Sequence, residues 1–181
     1  MATEWLDIVD TAIKIGLGAA ISGVSTYIIT KSKYSHDKGV STNATKRELI
    51  LYATEQADKY FEFTYRYFSA LDGIASYCEK HDFNEKAQHE ALDILELVDE
   101  KTPEARACSY VVISRLSLLG LEECEKNFRN YREGENELRA FGSSISKKPP
   151  TKEFLKGWVN KYMPFKYEFH RCIGEKFREI I

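Results

Sequence analysis

From Ile15 to Thr30 the chain carries no charged side chain, and Lys14 and Lys31 bracket the run. Few features restrict folding as strongly. A helix over these residues carries no charge on any face, which suits burial in protein or in lipid. The run is slightly short of the roughly 20 residues that cross about 30 Å of hydrocarbon, but its flanks lengthen it. The Lys14 ammonium can reach the headgroups on its aliphatic stem. Trp5 and Tyr27 would stand about 33 Å apart at a rise of ~1.5 Å per helical residue, one amphipathic ring for each interface. Residues 1–33 are therefore expected to form a single membrane-spanning helix, with Trp5, Tyr27, Lys31 and Lys33 as its interface anchors.

Two other readings compete with a span. One is a helix buried in, or lying on, a soluble protein. The other is a secretory signal, which the acidic start (Glu4, Asp7, Asp10) opposes. The small residues favour lipid. Gly16/Ala20 and Ala19/Gly23 are two small-xxx-small pairs, and such a face lets a second helix approach closely where no water competes. Gly16, Ala19, Ala20 and Gly23 are thus the expected docking residues, toward a second copy or another membrane protein. Orientation follows from the basic residues. Lys31, Lys33 and Lys38 follow the run, and nothing basic precedes Lys14. The positive-inside rule then puts the N-terminus outside and the larger C-terminal part in the cytoplasm of a single-pass inner-membrane protein.

Residues 34–44 read as a linker, since Gly39 and a Ser/Thr/Asn cluster punctuate them. Residues 45–181 read as an all-α domain of four to five antiparallel helices. Glycine and proline are sparse, and apolar side chains recur three or four apart. Thr45 and Glu48 have the spacing of a capping box, so a helix is expected from there to about Lys80. Its stripe is Ala57, Tyr60, Phe61, Thr64, Phe68, Leu71, Ala75 and Cys78. Asp82 or Asn84 can cap a second helix ending near Glu100, with Ala87, Ala91, Ile94, Leu95 and Val98 inward and Leu92 and Leu97 widening the face. A third helix, continuous in period, is expected from Pro103 to about Phe141, with Gly120 and Gly134 weakening the reading of one straight rod and its charged second half protruding or lying along a partner. Gly142 and Pro149-Pro150 end it. A last helix starts near Thr151, and Pro164 should kink or split it.

The charge of −2 sits before Lys31; the remainder is balanced. That removes the basic excess of a general nucleic-acid binder. The aromatic–basic stretches Tyr65–Phe68 and Arg129–Arg132 have acidic neighbours that dilute any positive field, so no nucleic-acid partner is expected. Cys78, Cys108, Cys124 and Cys172 form no C-x-x-C pair and read as four reduced thiols. Phosphate-loop, dinucleotide, zinc-protease and nucleophile-elbow motifs are missing. Glu85/His89 and Glu168/His170 read as surface pairs rather than metal ligands. No catalytic residue, cofactor or metal is expected.

The plan of a small-residue span, a lysine-rich stop and a helical domain resembles that of many bacterial and prophage-borne proteins. It implies a membrane-anchored interaction or scaffold protein, touching lipid and binding a cytoplasmic partner. The alternatives are a membrane-active effector of toxin, phage-exclusion or lysis type, and an enzyme whose site the motifs do not reveal, built around His81/Asp82 or His170.

Overall fold

Aromatic rings from three helices meet at the centre of the domain, and they set its architecture. In the computed structural model, residues 42–146 and 148–180 are described. They are all-helical, with no strand among them: α1 (42–78), α2 (Glu85–Asp99), α3 (Thr102–Leu118), α4 (Glu122–Gly142) and α5 (Lys152–Ile180). The expected span, its docking residues Gly16, Ala19, Ala20 and Gly23, and its anchors Trp5, Tyr27, Lys31 and Lys33 lie outside the described residues. Among those that are described, no helix is long and apolar enough to cross a membrane. The chain divides into two units, Met1–Thr45 and Lys46–Ile181. The buried core of the described residues belongs to the second.

Contacts fix the helix directions. The Arg47 guanidinium donates to the Ile180 carbonyl, and Lys152 Nζ donates to the Asp72 carboxylate at 2.6 Å, so α1 and α5 run antiparallel. Cys124 is bonded to Cys172, and Phe141 stacks on Phe154 with centroids 4.1 Å apart, so α4 and α5 are also antiparallel. Between them the Phe61 ring meets Phe128, Tyr131 and Phe169 at 5.8, 4.8 and 5.6 Å. Edge-to-face pairs of this kind add about 0.5–1.5 kcal/mol each beyond area burial. α3 turns back against α4, and Arg132 lies over the Tyr110 ring at 5.1 Å.

Several helix ends follow from local chemistry. The Asn84 side chain accepts from the Ala87 N–H at 3.0 Å and caps α2, and Thr151 accepts from the Phe154 N–H at 3.2 Å and caps α5. Four expectations are corrected. Residues 42–45 are already helical, so Thr45 starts nothing. The expected helix from Pro103 to Phe141 is two helices, because Gly120 takes φ 68°, a left-handed conformation that ends α3. The second of these does not protrude: Phe128, Tyr131 and Leu138 are buried. α5 is not split at Pro164, with Tyr162 and Phe169 buried on either side. Tertiary burial outweighs the one carbonyl the proline leaves without a helical donor.

A fifth correction concerns the thiols. Cys124 and Cys172 form a disulfide across a sequence separation of 48, while Cys78 and Cys108 are free. Pairing at that distance requires α4 and α5 to be adjacent, which spacing cannot reveal.

Two glycines mark where helices touch most closely. The Trp158 indole donates to the Gly134 carbonyl at 2.7 Å, and a Cβ on Gly134 would lie 2.5 Å from the Tyr162 ring. A Cβ on Gly142 would collide with the Tyr67 hydroxyl, and Tyr67 is only 2% exposed, so it has nowhere to go. Gly142→Ala is expected to cost about 1–3 kcal/mol through overpacking. At Gly73 the same change meets nothing within 4 Å and should stabilise by about 0.5–1 kcal/mol through helix propensity. Urea melts of the two variants beside the parent check this opposite pair.

Candidate functional site

Three places hold unusual chemistry. The first is a polar network enclosed by the bundle. Glu135 on α4 is 5% exposed. Its carboxylate accepts from the Tyr60 hydroxyl of α1 at 2.9 Å and from the Arg139 guanidinium one turn along. Arg139 reaches on to Asp99 at the end of α2 and stacks over the Tyr67 ring at 4.8 Å. One guanidinium thus joins α1, α2 and α4. Burial, then the neighbouring Glu135 charge, raises the Tyr60 phenol far above its ordinary value. Burial and Asp99 push Tyr67 up to about 12, and burial raises Tyr131.

Those phenols predict an alkaline limit. Their unfolded pKa is about 10 and the folded values are higher, so the fold favours the neutral form. The stabilisation is complete below pH ~10 and declines above it, by about 1.4 kcal/mol per pH unit for each phenol that ionises only on unfolding. Urea midpoints at pH 9, 10 and 11 should fall, and Tyr131→Phe should make the fall shallower.

The second place is His170. It lies against Phe61 at 5.4 Å and pairs with Asp58 at 3.4 Å, with its side chain 36% exposed. Burial lowers its pKa, against the pull of Asp58. His81 stacks on Tyr77 at 4.6 Å. Glu85 and His89 both face solvent, and Glu168 accepts from Arg171 instead of pairing with His170. Among the described residues no cluster of ligating side chains could hold a metal ion. A polar concavity of about 310 Å³ is lined by Glu125, Arg129, Glu133 and their neighbours, and no histidine among the described residues borders it.

The third place is a groove of about 350 Å³ between α1 and α2. Ser69, Ala70 and Gly73 line it from α1, and Ala87 and Ala91 from α2. Ile74, Tyr77, Phe83 and Ile94 supply the larger apolar surface, and Glu90 is the one ionic group among the described residues of its lining. The volume lies within the range of sites that take ligands. Ile94 and Leu97, expected to be inward or flanking the core, are 46% and 67% exposed on this side, and Leu92 is 41% exposed on the opposite flank. The α2 stripe is therefore narrower than its periodicity indicates.

The aromatic–basic stretches are engaged within the domain. Arg66 pairs with Glu62 and Arg129 with Glu125, each one turn away, while Tyr67 and Tyr131 are buried. Sequence reasoning missed Glu135, Arg139 and the groove. Only the four-residue spacing of Glu135 and Arg139 signals a pair, and it signals an exposed one. No protein-family model matches the chain, and no curated protein or solved structure is similar to it.

Proposed function

We propose that this is a membrane-anchored helical interaction protein: residues 1–33 hold it at the bilayer, and the bundle binds a partner. The observation that carries the binding half is an apolar groove that no described residue covers, on an otherwise well-packed domain. Concave, mostly apolar clefts of this volume are where binding sites are usually found. The disposition of the histidines favours binding over chemistry, since none lines that groove or the polar concavity. The anchoring half rests on the charge-free run from Ile15 to Thr30 and its small-residue pairs.

Sidedness has one argument each way. The lysines after the run favour a cytoplasmic bundle, whereas the Cys124–Cys172 bridge favours an oxidising compartment. We place the bundle in the cytoplasm on the lysine count, and thiol counting, argued in the Discussion, tests that choice.

The anchor predicts that the chain stays in the membrane fraction through carbonate extraction. Gly23→Leu should weaken crosslinked oligomers by blocking close helix approach, without releasing the protein from the membrane. Release of the parent chain by carbonate rejects the anchor. Unchanged oligomers in Gly23→Leu reject docking through that face.

A further inference from the structure

We propose that the α1–α2 groove receives a basic amphipathic helix of a partner protein, its apolar side chains entering the groove and its lysines or arginines facing α2. The proposal deepens the reading of the bundle as a partner-binding domain and is independent of the anchor.

Shape comes first. The groove lies between two sequential helices joined by residues 79–84. Small side chains (Ser69, Ala70, Gly73, Ala87, Ala91) line it from both helices. Small residues let a helix backbone come close, while Tyr77, Phe83 and Ile94 offer surface to its apolar stripe. Ile94 is 46% exposed and Leu97, one turn further on, is 67% exposed, so the apolar surface continues along α2 beyond the groove.

Charge then selects the occupant. α2 holds Glu85, Glu90, Asp93 and Glu96 against Lys86 and His89, its fifth acid, Asp99, being held by Arg139. Glu90 lines the groove, and Asp93 follows it by three residues on the helical row that leads to Leu97. The partner of Glu90 within the domain, Lys86, is 3.7 Å away with its side chain 86% exposed, a loose pair that an incoming cation can replace. An acidic helix would meet like charge along this edge, and an uncharged one would leave it uncompensated.

The probe is an amidated leucine–lysine helix of about 18 residues with apolar side chains on one face and a photoreactive leucine analogue at its centre. It is irradiated with the full-length chain in neutral detergent, and the crosslinks are mapped by mass spectrometry. Expected are crosslinks to residues 69–77 and 90–97, with apparent affinity about tenfold weaker for Glu90→Lys/Asp93→Lys. Gly73→Leu should abolish them. Its side chain would enter the groove from a position where the added Cβ meets nothing within 4 Å, and circular dichroism checks that the fold is kept. Ile94→Lys, at an exposed position, is a second blocking variant. Equal crosslinking of parent and Gly73→Leu overturns the groove assignment and leaves the bundle a binding domain by another face, and equal crosslinking of a leucine–glutamate peptide overturns the basic occupant. No crosslink to any face overturns both. Protection of these residues by octylammonium ions alone, with no peptide crosslink, overturns the helix in favour of a small apolar cation.

Discussion

Replacing Glu135 with leucine is expected to cost about 3–5 kcal/mol of stability, the cost of breaking a buried pair from one side. The loss is not that of one hydrogen bond. Glu135 accepts from Tyr60 on α1 and from Arg139 on its own helix, and Arg139 extends to Asp99 on α2. Without the carboxylate, a guanidinium whose side chain is 16% exposed loses its enclosed counter-charge, and a phenol that is 1% exposed loses its acceptor. The phenol cannot turn to water without opening the packing around it, while Arg139 keeps only Asp99, at the exposed end of the network. Glu135→Gln should cost less, because the amide oxygen still accepts from one donor.

The double variant Glu135→Leu/Arg139→Met separates two explanations. If the cost is mainly an orphaned charge, removing both partners recovers most of it, as apolar replacement of whole buried pairs often does. If the network holds the end of α2 in place, the double variant stays unstable. Urea denaturation of the parent, both singles and the double gives the coupling directly. A loss below about 1 kcal/mol for Glu135→Leu, the range of surface pairs, would mean that the pair behaves as an exposed one.

This network also shows how far the sequence could be read. Helix starts set by local side chains were legible: Asn84 before α2 and Thr151 before α5 cap through their own neighbours. The aromatic stripe of α1 was legible because Tyr60, Phe61, Thr64 and Leu71 recur at helical spacing and are buried. Features decided by a distant element were not. Gly120 and Gly134 look alike in sequence, yet one ends a helix through a positive φ and the other lies mid-helix beneath the Tyr162 ring. Leu97 and Leu95 are both apolar residues of one helix. Which of them is covered depends on where α1 passes, and only Leu95 is buried. Glu135 sits in a run of charges, and nothing local distinguishes the carboxylate that turns inward. The groove follows from the same limit, because a stripe shows that a face is apolar and not whether another helix covers it.

Reduction of the Cys124–Cys172 bridge is expected to lower stability by about 2–4 kcal/mol. The bridge closes a loop with a sequence separation of 48, and removing that constraint from the unfolded chain corresponds to about 4 kcal/mol on a chain-entropy basis, usually realised in part. The native contacts beside it should survive. Phe128 and Phe169, one turn from each cysteine, still meet at 5.6 Å in the aromatic core, so the reduced domain stays folded and melts earlier. Cys124→Ser/Cys172→Ser should match the reduced parent, and reductant should then have no further effect. The same bond tests sidedness. Cells lysed directly into denaturant with a maleimide polymer should label four cysteines if the bundle faces a reducing cytoplasm, and two, Cys78 and Cys108, if it faces an oxidising space. Four labels keep the lysine count as the guide to topology and leave the bridge to form only outside that compartment. Two labels invert the orientation, moving the bundle and its α1–α2 groove to the outer side, where the partner helix would also have to be.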